Sequence, residues 1–219
     1  MRHLITTIIF GTLLAGCQQE PYDTGDTSLS YLNAEMVSVH VRGNEIVSII
    51  NDADNQLPVP PEMKVHESLA HNDTTYRMMM YYVREGNEEI KIVKSQMAML
   101  MKISDDAAAK PYPADPVIMT SAWMAPNGKH LNLSLGVKTS VQEDKEAAQT
   151  MALVTDSVKM TEGGRRRRYV TLSHDQATVP QFYTTTIYLS IPTDQYLEGD
   201  EIVFRVNTYE GEYVKTFRK

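Results

Sequence analysis

Apolar and polar residues alternate along most of this chain, first where Val37, Val39 and Val41 are separated by Ser38 and His40. An alternation of period two predicts β-strands that bury one face. By this criterion, strands are predicted over residues 37–42, 45–50, 77–83, 90–103, 118–124, 130–141, 150–160, 168–173, 184–191, 201–208 and 213–217. Only residues 142–149 have a helix-forming composition, and so short a segment is interpreted as a surface loop. The chain is therefore predicted to be all-β.

The strand predicted over residues 90–103 changes phase along its length. Ile90 and Ile92 occupy even positions, whereas Met97, Met99 and Met101 occupy odd positions. Since successive side chains of a strand point to opposite faces, the change requires an extra residue or a sharp bend. We expect a β-bulge here, as in a small and strongly coiled barrel.

Residues 104–116 are small and rich in proline, with Pro111, Pro113 and Pro116 near the end of the segment. Because proline cannot donate to a sheet ladder, we place a domain boundary here. The first predicted domain, residues 31–109, is a small β-barrel. The second, residues 110–219, has seven predicted strands in about a hundred residues, a density typical of a β-sandwich.

The N-terminal segment has a basic start, an apolar stretch over residues 4–14, and then Ala15, Gly16 and Cys17. This order predicts a signal peptide over residues 1–16, and the apolar stretch is too short to cross a bilayer as a helix. The small residues before the cysteine resemble the lipobox of bacterial lipoproteins. That resemblance implies cleavage between Gly16 and Cys17 and a covalent lipid on Cys17. Residues 17–30 are then a lipidated cysteine and a flexible polar tether.

Composition narrows the possible partners. The chain has one cysteine, so after lipidation no thiol is left for a disulfide or a nucleophile. With 21 basic and 28 acidic residues, the net charge of −7 gives no basis for binding nucleic acid. The expected membrane contact is the lipid anchor. Gln18 after the cysteine is typical of outer-membrane lipoproteins, and the acidic tether leaves open both the periplasmic face and the cell surface.

Two patterns suggest metal ligands, and neither predicts a metal site. His66, Glu67 and His71 come close to a zinc-binding motif, but histidines five residues apart lie about 140° apart round a helix. The methionines within residues 78–80 and 97–101 could ligate a soft metal through their thioethers. At strand spacing such methionines are more often core residues, and we expect them to fill the core.

Three other patterns suggest binding or catalysis. Ser173, His174 and Asp175 are the residue types of a catalytic triad, but neighbours on a strand point to opposite faces and cannot relay a proton. The run Arg165–Arg168 could grip an anion, although a solvated hairpin tip is the more common structure. Twelve tyrosines could stack on sugars, yet tyrosine also favours strands. We predict no catalytic, cofactor-binding or metal-ligating residue.

Taken together, the segments resemble the NigD-like lipoproteins of Bacteroidetes. The resemblance is carried by the strand pair within residues 34–51 with the following 57–59, the hairpin over residues 123–135, and the segments 172–175, 183–192 and 207–211. It covers nearly the whole mature chain and consists of strand-and-turn patterns without a catalytic signature.

This resemblance implies an N-terminal OB-like barrel followed by a C-terminal β-sandwich. The family takes its name from a protein encoded with a bacteriocin and suggested to be its immunity factor. We therefore expect a non-enzymatic, lipid-anchored envelope protein that binds a protein or peptide partner. A surface glycan-binding lipoprotein and an envelope hydrolase with a site assembled from dispersed residues remain the alternatives.

Overall fold

A computed structural model describes residues 32–61, 63–66, 69–70, 73–85, 89–104, 111–141 and 148–219. The predicted signal peptide, Cys17 and the predicted tether lie outside these residues, as do residues 142–147 of the predicted loop. The described residues form thirteen strands and contain no α-helix. The strands are β1 Asn33–Arg42, β2 Glu45–Asn51, β3 Gln56–Leu57, β4 Thr74–Glu85, β5 Glu89–Leu100, β6 Ile103–Ser104, β7 Ile118–Met124, β8 His130–Thr139, β9 Thr150–Met160, β10 Arg166–Asp175, β11 Tyr183–Pro192, β12 Glu201–Thr208 and β13 Gly211–Arg218. The predicted all-β class is confirmed.

Two mixed sheets hold these strands. The first has eight strands in the order β3-β2-β1-β4-β5-β11-β8-β7, and the second has five in the order β13-β12-β10-β9-β6. Parallel pairs join β5 to β11, β10 to β12 and β6 to β9. The remaining neighbours pair antiparallel.

Strands β1 to β5 form the N-terminal half. They bury one face of their part of the first sheet around a shared core of Val37, Val39, Val41, Ile49, Leu57, Met80, Tyr82 and Ile90. Five strands around one core fit the expected OB-like barrel, a fold that is partly open. In the described part of the chain no pairing joins β3 to β5, so the barrel is open there.

The predicted bulge in β5 is present. Tyr81 pairs with Lys94 and Tyr82 pairs with Ile92, so Val93 is the extra residue on β5. After the bulge the buried residue of β5 is Ala98, which is 5% exposed.

The C-terminal half is a sandwich in which both sheets contribute to one core. From the first sheet come side chains of β7, β8 and β11, and from the second come side chains of β9, β10, β12 and β13. The fully buried members with the largest side chains are Leu131, Leu133, Leu135, Leu153, Leu172, Leu189, Ile191 and Phe204.

Strands from both predicted domains pair with one another. Ala98, Met99 and Leu100 of β5 lie in parallel register with residues 188–190 of β11. Beyond β5, the short strand β6 belongs to the second sheet and pairs with β9. Residues 105–110 lie outside the described residues, and the division between residues 109 and 110 stays a prediction.

Candidate binding groove

An apolar groove opens where β5 ends and the chain crosses from the first sheet to the second. Its volume is about 630 Å³. We call it the methionine groove, and its lining residues are Met99, Leu100, Met101, Val137, Thr139, Ser140, Ala148, Gln149, Met151, Val179, Thr185 and Ile187. Most of these side chains are apolar, and three are methionines: Met99 from the first sheet, Met151 from the second, and Met101 from the segment that joins them.

Hydrogen bonds fix the walls of the groove. The Met101 amide donates to the Ser190 carbonyl oxygen at 2.9 Å, which holds the crossing segment against β11. On the opposite wall, Gln149 Nε2 donates to the Lys138 carbonyl oxygen at 2.7 Å. His174 Nε2 lies 3.0 Å from Gln149 Oε1, so the amide of Gln149 is held on both sides. These hydrogen bonds fix the described walls of the groove relative to each other.

The rim of the groove exposes large apolar side chains. Met99 is 46% exposed and Leu100 is 53% exposed, and the nearby Met97 is 38% exposed. Our expectation that the methionines fill the core is right for Met79 and Met80, which are 6% and 0% exposed, and wrong for Met97 and Met99. The bulge in β5 and the end of the strand at the sheet crossing are the physical reasons. Exposed methionines in a concave site are adaptable contact surfaces.

A free strand edge borders the groove. β11 pairs with β8 along its length but with β5 only over residues 188–190, so among the described residues 183–187 have one edge without a strand partner. Gln96 Nε2 donates to the Thr186 carbonyl oxygen across this gap at 2.7 Å. In an antiparallel strand, alternate residues direct their backbone groups to the same edge. Thr184 and Thr186 therefore share the open edge.

A second cavity lies inside the N-terminal half. It has a volume of about 390 Å³ and is closed on one side by the segment around Met63 and Leu69. The Tyr76 hydroxyl donates to the Leu69 carbonyl oxygen at 2.8 Å and ties this segment to β4. Lys64 and His66 are the basic residues among its described lining, and both are exposed.

The zinc-like motif is only partly described. His66 lies at the rim of the barrel cavity, whereas Glu67 and His71 lie outside the described residues. Within the described ranges, no group of three or more His, Cys, Asp or Glu side chains is placed to hold a metal ion. No helix of the described segments is long and apolar enough to cross a membrane.

Ser173, His174 and Asp175 point to separate partners. The Ser173 hydroxyl donates to the Pro113 carbonyl oxygen at 2.8 Å, and His174, 1% exposed, lies 3.0 Å from the amide oxygen of Gln149. Asp175 accepts a hydrogen bond from the backbone two residues later. The three side chains therefore bind three different partners and do not hydrogen-bond to one another.

The arginine run enters β10 from a hairpin tip, as predicted. Arg166 lies 2.6 Å from Asp200, and Arg167 lies 2.6 Å from Glu201. Arg165 precedes the strand and is exposed.

A buried polar network at the junction of the two halves was not predicted from the sequence. Arg77 Nη2 lies 2.7 Å from Asp52 Oδ1, and both side chains are less than a tenth exposed. Arg77 Nε donates to Ser190 Oγ at 3.1 Å, and Asn132 Nδ2 donates to Asp52 Oδ2 at 2.6 Å. The only local signal is a charged residue within the apolar β4, since the partners are distant in sequence.

His130 lies beside this network. Its Nδ1 atom is buried and has no hydrogen-bond partner. Burial, followed by the positive charge of Arg77, lowers the pKa of His130 from 6.5 to about 4. The imidazole is therefore neutral at neutral pH.

Several solved structures have a fold similar to that of this chain. A NigD-like immunity protein from Bacteroides caccae is 22% identical, and the match covers 84% of this chain and 91% of that one with a TM-score of 0.60. A protein of unknown function from Bacteroides vulgatus is 16% identical over 86% and 90% of the two chains, with a TM-score of 0.61. A candidate lipoprotein from Bacteroides fragilis is 12% identical over 85% and 97%, with a TM-score of 0.59. Neither protein-family models nor curated protein sequences yield a match.

This chain thus has an all-β fold of two mixed sheets, and the fold is that of a NigD-like protein. The resemblance inferred from the sequence is confirmed at the level of the fold. None of the three structures compared above is named for an enzymatic activity.

Proposed function

We propose that this chain is a NigD-like, lipid-anchored protein of the cell envelope that binds an extended segment of a protein or peptide partner without catalysing a reaction. The observation that carries the proposal is the methionine groove with the open edge of β11 beside it. A free edge offers backbone hydrogen bonds and a neighbouring apolar groove offers side-chain pockets, the two elements of strand addition.

Energetics favour a peptide over a small polar ligand. An apolar side chain that moves fully from water into such a groove contributes roughly 1.5–3 kcal/mol. Two or three such side chains, together with backbone hydrogen bonds, offset the loss of freedom on association and reach affinities of about micromolar. A sugar would find few polar side chains there, since among the described lining residues only Thr139, Ser140, Gln149 and Thr185 are polar.

The contact of Gln96 with β11 indicates where the backbone of a bound peptide would lie. The side-chain amide of Gln96 donates to the Thr186 carbonyl oxygen, where an amide of an added strand would donate. When a peptide binds at this edge, its backbone amide replaces the side-chain amide of Gln96 as the donor to the Thr186 carbonyl oxygen.

The immunity role suggested by the NigD-like relative extends the proposal to an incoming toxin or toxin peptide. A lipid on Cys17 and a tether of about a dozen residues hold the groove within a few nanometres of the membrane. We place the anchor in the outer membrane, and this position limits partners to proteins and peptides of the envelope.

The groove is tested by selecting binders from a displayed library of random peptides with the full-length chain. Selected peptides should carry alternating apolar residues. Met99→Glu places a charge at the groove rim and should weaken the selected peptides at least tenfold. Val47→Glu is the matched control, because Val47 is 45% exposed, close to the 46% of Met99, and lies on β2, away from the groove and from the open edge of β11.

Equal weakening by both substitutions would contradict the proposal. So would saturable binding to a purified polysaccharide without peptide binding, which would favour the glycan alternative. A hydrolase would reveal itself by turnover of a bound peptide or glycan.

The anchor is tested by Cys17→Ser. We expect the variant to leave the membrane fraction completely, because the net charge of −7 gives no attraction to anionic lipids. Fractionation with mass spectrometry of the N-terminus is the measurement. A variant that remains in the membrane and is still cleaved after Gly16 would refute lipidation at Cys17.

A further inference from the structure

A second concave site lies at the other end of the sandwich from the methionine groove. Strand β9 begins beside the groove at Met151 and ends at Met160, which lines this site. Nine residues of strand separate the two by roughly 30 Å. The site has a volume of about 720 Å³ and lies between the β9–β10 hairpin tip and the ends of β12 and β13. We call it the arginine cleft, after Arg165, Arg167 and Arg218 in its lining.

The cleft holds more cationic than anionic side chains in an acidic protein. Three arginines face Glu162 and Glu201. Glu201 accepts hydrogen bonds from two of the arginines. Arg167 Nε lies 2.6 Å from one carboxylate oxygen, and Arg218 Nη2 lies 3.1 Å from the other. These hydrogen bonds, the one from Arg167 first, lower the pKa of Glu201. Since each guanidinium carries five N–H donors, one carboxylate does not satisfy both.

Arg165 differs from the other two because no carboxylate of the described residues pairs with it. Its side chain instead lies against the backbone of Gly199, which has a φ of +84°. A Cβ at this glycine would lie 3.2 Å from Arg165 Nε and 3.4 Å from Cζ. Glycine thus leaves the space that the guanidinium occupies, and Arg165 is positioned by packing with its charge uncompensated.

From this geometry we infer that the arginine cleft binds a sulfate or phosphate ester group of an anionic glycan. Guanidinium groups bind such oxyanions through paired N–H donors. A group on a flexible glycan chain can enter a concave cleft alone. A flat anionic membrane would instead meet the whole acidic surface of the protein, and the net charge of −7 opposes that contact. The inference is independent of the peptide groove.

Calorimetric titration of the full-length chain with dextran sulfate, and with uncharged dextran for comparison, tests the site. We expect saturable, salt-sensitive binding of dextran sulfate alone. Arg165→Ala should weaken it at least tenfold, and Arg165→Lys should restore part of the loss. Arg42→Ala is the control, since it removes the same charge from an exposed position in the N-terminal half.

Gly199→Ala supplies a second variant that retains every charge. Its Cβ would displace Arg165, so binding should weaken while thermal unfolding in the absence of ligand reports the cost to the fold. Equal weakening by Arg42→Ala and Arg165→Ala would reduce the effect to overall charge and overturn the inference. Absence of saturable binding, or Arg165-dependent binding to phosphatidic acid vesicles but not to dextran sulfate, would also overturn it.

Discussion

The N-terminal half and the sandwich differ in the size of the hydrophobic core and in how completely that core is covered. In the sandwich, seventeen buried hydrophobic residues come from two sheets that cover each other. In the N-terminal half, the main core cluster has eight described members on one sheet whose outer cover is partly a loop, and a cavity of about 390 Å³ remains beside them. Four further residues, Met36, Met79, Val83 and Ala98, are buried outside that cluster. Because stabilisation follows buried apolar area, the sandwich carries most of the stability.

This difference gives the junction a structural role. The N-terminal half is attached to the sandwich by the short β5–β11 ladder and by the network of Arg77, Asp52, Asn132 and Ser190. Trp123, the only tryptophan of the chain, packs beside this junction, so its fluorescence reports on the attachment. The smaller N-terminal half therefore depends on the sandwich for its stability.

The largest effect is expected in the sandwich core. Phe204 is 0% exposed, and Phe204→Ala should lower the free energy of unfolding by about 4 kcal/mol because it leaves a cavity between the sheets. Ile49→Ala in the N-terminal core should cost about 3 kcal/mol, since the nearby cavity and loop allow some collapse. Urea unfolding followed by circular dichroism measures both. A larger loss for Ile49→Ala would reverse the ranking of the two halves.

The junction should give the next largest effect. Arg77→Met leaves the buried carboxylate of Asp52 without its charged partner and should cost about 3 kcal/mol. Replacing both residues, Arg77→Met with Asp52→Leu, should recover at least half of this loss. Urea unfolding monitored by Trp123 fluorescence completes the double-mutant cycle. Additive losses in the double variant would mean that the pair is not coupled.

Close packing within the first sheet should give a smaller effect. A Cβ at Gly136 would lie 2.9 Å from Thr184 Cγ2 and 3.1 Å from Ile118 Cβ, so Gly136→Ala should cost about 2 kcal/mol. Gly163 is the matched control, because its nearest contact would be 3.9 Å away and Gly163→Ala should be nearly neutral. Thermal unfolding compares the two. Equal shifts in Tm would show that strands β7, β8 and β11 can separate at little cost.

The smallest effect is expected from acid. Above pH 6.5, His130 is neutral in both states. Below it, the unfolded chain takes up a proton that the folded chain resists until the pH reaches about 4. Stability should therefore fall across this interval, by about 1 kcal/mol after allowance for solvent screening.

Urea unfolding at pH 7 and pH 5 measures this acid effect, and His130→Gln should reduce the difference. Glu201, whose folded pKa is lowered from 4.5, loses its stabilising charge only at more acidic pH. If His130→Gln shows the same loss of stability between pH 7 and pH 5 as the unchanged protein, another group causes the acid effect.

Local patterns account for most strands. Residues 118–124, 150–160 and 201–208 are strands over the predicted ranges, and the phase change in β5 correctly predicts the bulge. These features depend on side-chain alternation and turn chemistry within one segment, which a single sequence records.

Pairings between residues that are distant in the sequence cannot be predicted from a local pattern. The parallel ladder joins residues 98–100 to residues 188–190, and Arg77 meets Asn132 and Ser190 across more than fifty positions. Nothing near Met99 distinguishes a core methionine from one at a groove rim, because the distinction arises where the chain changes sheets. The residues of the candidate groove therefore emerged only from the fold, whereas the arginine run was visible in the sequence and its pairing was not.

Amide hydrogen exchange of the full-length chain, with and without a selected peptide, tests the central claim most directly. Strand addition at the open edge of β11 predicts slower exchange of the Thr184 and Thr186 amides when the peptide is bound, because both gain backbone partners. Amides around Val65, at the barrel cavity, should be unchanged. Protection at the barrel cavity with unchanged exchange at Thr184 and Thr186 would contradict the groove as the binding site.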